Sequence, residues 1–274
     1  MKKITTLLFS LFFIVSTLQA QKAETPYNWS WKNDGLLTGV ALAGSATGLY
    51  LIINKDGISE DKLADIVGDE SNINFMDKWV AGNYSRTASH ISDVPFYLSF
   101  AAPVMVFFDD EINDNSKQVL GMFLQSMATT ASVYGMSAGL INRSRPYVYS
   151  EDAPMKKRLS GNGQRSFFSG HTSTTATATY FVAKVYQDFN PDSPAIPYVW
   201  AGAITLPLTV GFLRMQAGQH FLTDVLLGYG VGALSGYFIP HLHKKENNNI
   251  SLHPISNVDL YGNNYQAISL KFTF

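Results

Sequence analysis

Six stretches of this chain, Leu36 to Ile53, Val94 to Phe108, Gln118 to Asn142, Thr172 to Tyr186, Ala195 to Leu213 and Val225 to Pro240, are apolar or rich in small residues. Five of the six contain no Asp, Glu, Lys or Arg. Runs of this length predict helices that hide their surfaces from water, in a protein core or in lipid. The expected architecture is an all-α bundle of about six core helices. With 274 residues, 46% of them hydrophobic, the chain has material for one large core.

The same numbers exclude other classes. Twenty Lys and Arg set against 21 Asp and Glu leave a net charge of -1, so no basic face for nucleic acid can be assembled. The absence of cysteine removes disulfides and thiolate metal sites. A mean hydropathy of +0.01 is low for a protein in which all six segments cross lipid. Leu36 to Ile53, with Gly39, Gly44 and Gly48 among small residues, still reads as a span or a bilayer-contacting helix.

Residues 1–20 have the parts of a secretory leader: Lys2-Lys3, an apolar stretch from Ile4 to Leu18, and Ala20 before Gln21. The chain is therefore expected in the periplasm or elsewhere in the cell envelope. Residues 21–74 form an N-terminal helical segment, 75–246 the main domain, and 247–274 an appendage. Within the appendage, Ile250 to Ile255 and Ala267 to Phe274 alternate as strands do, and Tyr261-Gly262-Asn263-Asn264 reads as a hairpin turn. Phe75 to Val80 and Ser85 to Asp93 read as short amphipathic helices. His90 reads as a surface residue and Asp109-Asp110-Glu111 as a solvated helix cap, while the alternating His241 and His243 read equally as a metal-site pattern or as a basic helix end.

The chemistry concentrates in three places: Arg145-Pro146, Ser169-Gly170-His171, and Arg214 through His220 to Asp224. Phosphoryl transfer asks a protein mainly for positioning and for positive charge around three equatorial oxygens, and Arg145 and Arg214 can supply that charge. Asp224 follows His220 by four residues, a spacing that on a helix would stack the carboxylate beside the imidazole and fix its tautomer. A neutral His220 would then be a nucleophile. Gly170 and His171 open a Thr-rich run that reads as a helix start, where backbone N–H groups favour an anion. Gly170 leaves room for an oxygen, and His171 could protonate a departing alkoxide. Either histidine motif alone is an ordinary helix-edge feature, and it is their order and spacing together that define a site.

These residues resemble the type 2 phosphatidic acid phosphatase superfamily, which also contains class A acid phosphatases and vanadium haloperoxidases. The family pattern runs Lys-x6-Arg-Pro, Pro-Ser-Gly-His, then Ser-Arg-x5-His-x3-Asp, and the resemblance covers roughly residues 75–240. It implies that His220 is a phosphohistidine nucleophile, Asp224 its orienting partner and His171 the general acid. Arg145, Arg214, Ser169 and Gly170 become the phosphate cradle, with no metal and no other cofactor. Three positions depart from the pattern: Ala138 stands where the family has Lys, Phe168 where it has Pro, and Leu213 where it has Ser. Arg143, Lys156, Lys157 and Arg165 are the cations near enough in sequence to replace the lysine.

The activity this implies is hydrolysis of phosphomonoesters, with lipid phosphates favoured over soluble esters because apolar helices would flank the site and a membrane would lie close by. A soluble periplasmic acid phosphatase, a vanadium-dependent haloperoxidase and an inactive envelope relative are the alternatives. Three crossings before Arg145 would put the site loop in the cytoplasm, against the side that export and the family favour.

Overall fold

The computed structural model describes residues 25–68, 71, 73–245, 250–258 and 264–272. The expected leader and the turn residues 261–263 lie outside them. The fold is all-α, with ten α-helices among the described residues. They are α1 (Trp31–Ile53), α2 (Glu60–Gly68), α3 (Arg86–Ser99), α4 (Pro103–Val106), α5 (Asp110–Asp114), α6 (Ser116–Leu140), α7 (Met155–Arg158), α8 (Gly170–Phe189), α9 (Ile196–Gln216) and α10 (Leu222–His243). Two strands, β1 (Ile250–Val258) and β2 (Asn264–Phe272), pair antiparallel with Ile250 opposite Phe272.

Five of the six expected segments become single helices, and Val94 to Phe108 does not. There α3 begins at Arg86, where the Ser85 hydroxyl accepts from the Ala88 N–H at 3.2 Å. It absorbs the short helix expected at Ser85 to Asp93 and runs to Ser99. Pro103, with no N–H to give to the carbonyl four residues back, starts the separate turn α4. Asp109 caps α5 by accepting from the Ile112 N–H at 3.1 Å, and His90 is exposed.

Neighbouring contacts set the directions of the long helices. Small residues let α1 lie closely along α6: Ser45 Oγ reaches the Ala128 carbonyl at 2.9 Å, and a Cβ on Gly48 would stand 2.6 Å from the Gly135 backbone. The pairs rise together in number, so α1 and α6 run parallel. Gly228, Gly232 and Gly236 of α10 face the Ser169, Ser173 and Thr177 carbonyls of α8, which makes that pair parallel too. Thr130 meets Thr177 at 2.7 Å while Tyr134 lies on Gly170, so α8 runs against α6. The Thr179 hydroxyl reaches the Ala203 carbonyl at 2.9 Å and Gly211 packs on Thr172, so α9 also opposes α8.

One end of the bundle thus collects the C-termini of α1, α6 and α9 with the N-termini of α8 and α10. The opposite end is tied by Asp188, which accepts from Tyr27 at 2.8 Å, Lys244 at 2.6 Å and Lys184. Between the ends lies a core of Val119, Met122 and Phe123 from α6 against Phe181, Val185 and Phe189 from α8. Asp34–Ile53 of α1, all of α9 and all of α10 are long and apolar enough to cross a membrane. Their outer faces carry exposed side chains such as Leu36, Ile53, Phe212 and Leu234. The protein is membrane-associated.

Candidate active site

Where α9 ends, the chain reverses sharply. The Gln219 N–H returns to the Arg214 carbonyl at 2.9 Å and the Gly218 N–H to the Met215 carbonyl at 2.9 Å, a Schellman closure with Gly218 at φ 68. This single turn carries both Arg214 and His220 to the same point. The Gln219 side chain then accepts from Arg145 Nη1, tying the second arginine to the turn.

His220 is 1% exposed, and its Nδ1 lies 2.6 Å from the Ser166 carbonyl. A carbonyl can only accept, so Nδ1 carries the proton and Nε2 keeps its lone pair. Burial, with Arg145 and Arg214 close by, holds the imidazole well below its usual pKa and keeps it neutral.

Asp224 differs from expectation. Helix α10 starts at Leu222, two residues after His220, so the i to i+4 stacking rule does not apply to the pair. The carboxylate instead accepts from the Phe221 N–H at 3.0 Å, from the Ser166 hydroxyl at 2.6 Å and from Arg143. It caps α10 and holds Ser166, whose carbonyl in turn holds the histidine. Arg143 also binds Asp77 at 2.6 Å, and Asp77 accepts from the Thr223 N–H at 3.0 Å.

His171 sits in the first turn of α8, with Nε2 2.8 Å from Asp93 of α3 and its ring stacked on Phe96 at 4.1 Å. Burial first, then the Arg214 charge, lower its pKa to about 4 in spite of Asp93. Arg214 is held in turn by the Ser92 hydroxyl at 3.3 Å and by Asp93 at 3.6 Å.

A cavity of about 350 Å³ opens over these groups. Arg145, Arg214, His171 and His220 line it, as the sequence pattern predicts for a shared site. Ser89, Asp93, Tyr134, Lys157, Asn162, Arg165 and Gln219 complete the wall. Ser169, Gly170 and Asp224 do not line it. The Ser169 hydroxyl pairs with Thr172 at 2.8 Å, and its N–H binds the Asp224 carbonyl at 3.0 Å. The room expected at Gly170 is taken by the Tyr134 ring, whose Cζ would stand 2.7 Å from a Cβ there.

The wall is electrostatically one-sided. Arg145, Arg165, Arg214 and Lys157 face one carboxylate, Asp93, and the Nε atoms of all three arginines are buried without an acceptor among the described residues. Unpartnered buried donors around a cavity are what an oxyanion would satisfy. Ser166, Asp93 and Gln219 are the contributors that sequence reasoning missed. Of these only Asp93 left a trace, standing four residues after Ser89 on one face of α3.

The fold and site define an all-helical membrane protein with a cationic pocket around a neutral, buried histidine. Residues 119–248 match the sequence model of the PAP2 superfamily. A lipid A 4'-phosphatase from Porphyromonas gingivalis is 26% identical over 99 residues, 35% of this chain and 39% of that protein. Phospholipid phosphatase 1 from Rattus norvegicus is 24% identical over 182 residues, 54% of this chain and 64% of that protein. The chain thus spans less than two thirds of the length of either relative. A crystal structure of a transmembrane PAP2 type phosphatidylglycerolphosphate phosphatase from Bacillus subtilis gives a TM-score of 0.43 at 18% identity, covering 88% of this chain and 96% of that one.

Proposed function

We propose that the protein is a membrane lipid phosphatase that cleaves phosphomonoesters through a phosphohistidine on His220, without a metal. The observation that carries this reading is the pairing of His220 Nδ1 with the Ser166 carbonyl, which leaves Nε2 as a lone pair beside Arg145 and Arg214 in one cavity. In the first step Nε2 bonds to phosphorus as the bond to the alcohol oxygen breaks, and His171 gives its proton to the leaving alkoxide. Water then attacks phosphorus and returns a proton to His171, and the N–P bond breaks to release inorganic phosphate. His171 is neutral in the empty site; a phosphate dianion beside it favours the charged form, so substrate loads the acid. Arg145 and Arg214 hold the equatorial oxygens.

A lipid alcohol is favoured by the surroundings. An apolar groove of about 690 Å³, lined by residues including Met105, Val182, Tyr198, Leu206 and Thr209, follows α9. It ends five residues short of Arg214, roughly 7.5 Å along the helix. Export to the cell envelope belongs to the same reading and rests on the leader-like residues 1–20.

The test uses the full chain in detergent micelles. Phosphate release from phosphatidic acid should persist in EDTA, and ³²P from substrate should be trapped on the protein as an acid-labile adduct absent from His220→Ala. Activity lost to EDTA and restored by Mg²⁺, or a stable label on Ser or Asp, would overturn the mechanism.

A further inference from the structure

Ala138 stands where the resembled pattern has a lysine, and the structure narrows which cation serves in its stead. Ala138 is fully buried on α6, one turn beyond the cavity-lining Tyr134 and on the same face. An ammonium does reach its backbone: Lys55 Nζ donates to the Ala138 carbonyl at 2.7 Å and to the Ile141 carbonyl at 2.6 Å. That group caps the end of α6 and does not line the cavity. Arg143 is held by Asp77 and Asp224 and lies over the Phe221 ring at 4.9 Å, so it too is engaged outside the cavity. Lys156 is exposed and off the wall. Arg165 lines the cavity, with one terminal nitrogen bound to the Asn162 carboxamide.

Lys157 is different. It is carried by α7, a turn pinned in place by Arg158, whose Nε donates to the Val148 carbonyl at 2.8 Å. Its Nζ lies over two aromatic faces, 4.9 Å from the Tyr84 centroid and 4.5 Å from that of Tyr147. Among the described residues no carboxylate forms an ion pair with it. A half-buried ammonium facing a cavity that also holds Arg145 and Arg214, seated on ring faces and in no ion pair among the described residues, is positioned for an anion from outside the protein. Burial and the charges of Arg145 and Arg214 push its pKa down, in keeping with a cation short of counter-charge.

We propose that Lys157, seated on Tyr84 and Tyr147, contacts the substrate phosphate and takes the place of the cation missing at position 138. The proposal rests on the phosphatase reading for its substrate, but it predicts oxyanion binding in its own right. The aromatic seat explains how a lysine on a four-residue helix can be fixed well enough to do this: the two rings hold the ammonium while leaving its N–H donors free to turn toward the phosphate oxygens.

The experiment measures orthovanadate binding to the full-length protein in micelles by calorimetry, alongside phosphate release from phosphatidic acid. Lys157→Met should weaken vanadate binding about ten- to a hundredfold, the value of a charge-assisted bond, and lower kcat/KM by a similar factor. Lys157→Arg should stay within about fivefold of wild type, and Lys156→Met should match wild type. Vanadate affinity unchanged in Lys157→Met, or equal losses in the Met and Arg variants, would overturn the proposal. Wild-type protein that binds vanadate yet releases no phosphate from any ester would sink the phosphatase reading instead, and the affinity series would still decide Lys157.

Discussion

Ser166 determines what His220 can do. Its carbonyl fixes the ring tautomer and its hydroxyl meets Asp224, so the carboxylate acts on the histidine at one remove. Asp224→Asn keeps the shape but loses the charge opposite Arg143. It should cost about 1–3 kcal/mol of unfolding free energy in a denaturant titration and lower kcat less than His220→Ala does. The histidines also set a pH dependence. His171 has a folded pKa of about 4 against an unfolded value of 6.5, and His220 is shifted in the same direction. Between these values the unfolded chain binds more protons, so the histidines' contribution to stability is complete above pH 6.5 and is lost as pH falls toward 4. Thermal melts across that window should show the slope, and His171→Gln should flatten it. At this scale, Arg145, His171, Arg214 and His220 were legible because each sits in a short motif whose spacing carries chemistry. Ser166, Asp93 and Gln219 were not, because a carbonyl acceptor leaves no mark in a sequence and Asp93 reaches His171 only through helix packing. The direct stacking expected of Asp224 on His220 did not form, because spacing alone does not say where a helix begins.

Among the elements, long apolar runs declared themselves, while the four-residue helix α7 and the 3-10 turns at Pro146–Tyr149 and Gly161–Gln164 did not. Short turns have no periodicity to read, and they are held by contacts such as the bond from Arg158 to Val148. Yet these turns carry Lys157 and border Arg145, so the least legible elements finish the cavity. The C-terminal strands were visible as alternation, and β2 ends at Phe272 among the described residues. The turn after α9 makes the sharpest prediction. Gly218 has a left-handed φ of 68, and a Cβ there would collide with the Asn83 carbonyl. Gly218→Ala should therefore lower stability by at least about 1 kcal/mol, read from thermal melts in micelles, and reduce kcat/KM disproportionately by displacing Arg214 from His220.

The whole molecule is a bundle with its candidate site at one end and an ionic tie at the other, around Asp188. Three apolar helices with outward-facing Leu, Ile and Phe side chains predict that the protein stays with membranes through alkaline carbonate extraction and is released by detergent. Recovery in the carbonate supernatant would refute that placement. A bilayer imposes its own thickness, and packed helices answer a thicker or thinner one by tilting and sliding against each other. Most of the cavity wall would feel such motion, since Asp93, Tyr134 and Lys157 come from separate segments. Arg214 and His220 would not, because a single hydrogen-bonded reversal of the backbone sets the distance between them. On the proposed mechanism the pair that meets the phosphate is mechanically insulated from the lipid, free to keep one geometry in membranes of different composition while the rest of the bundle adjusts around it.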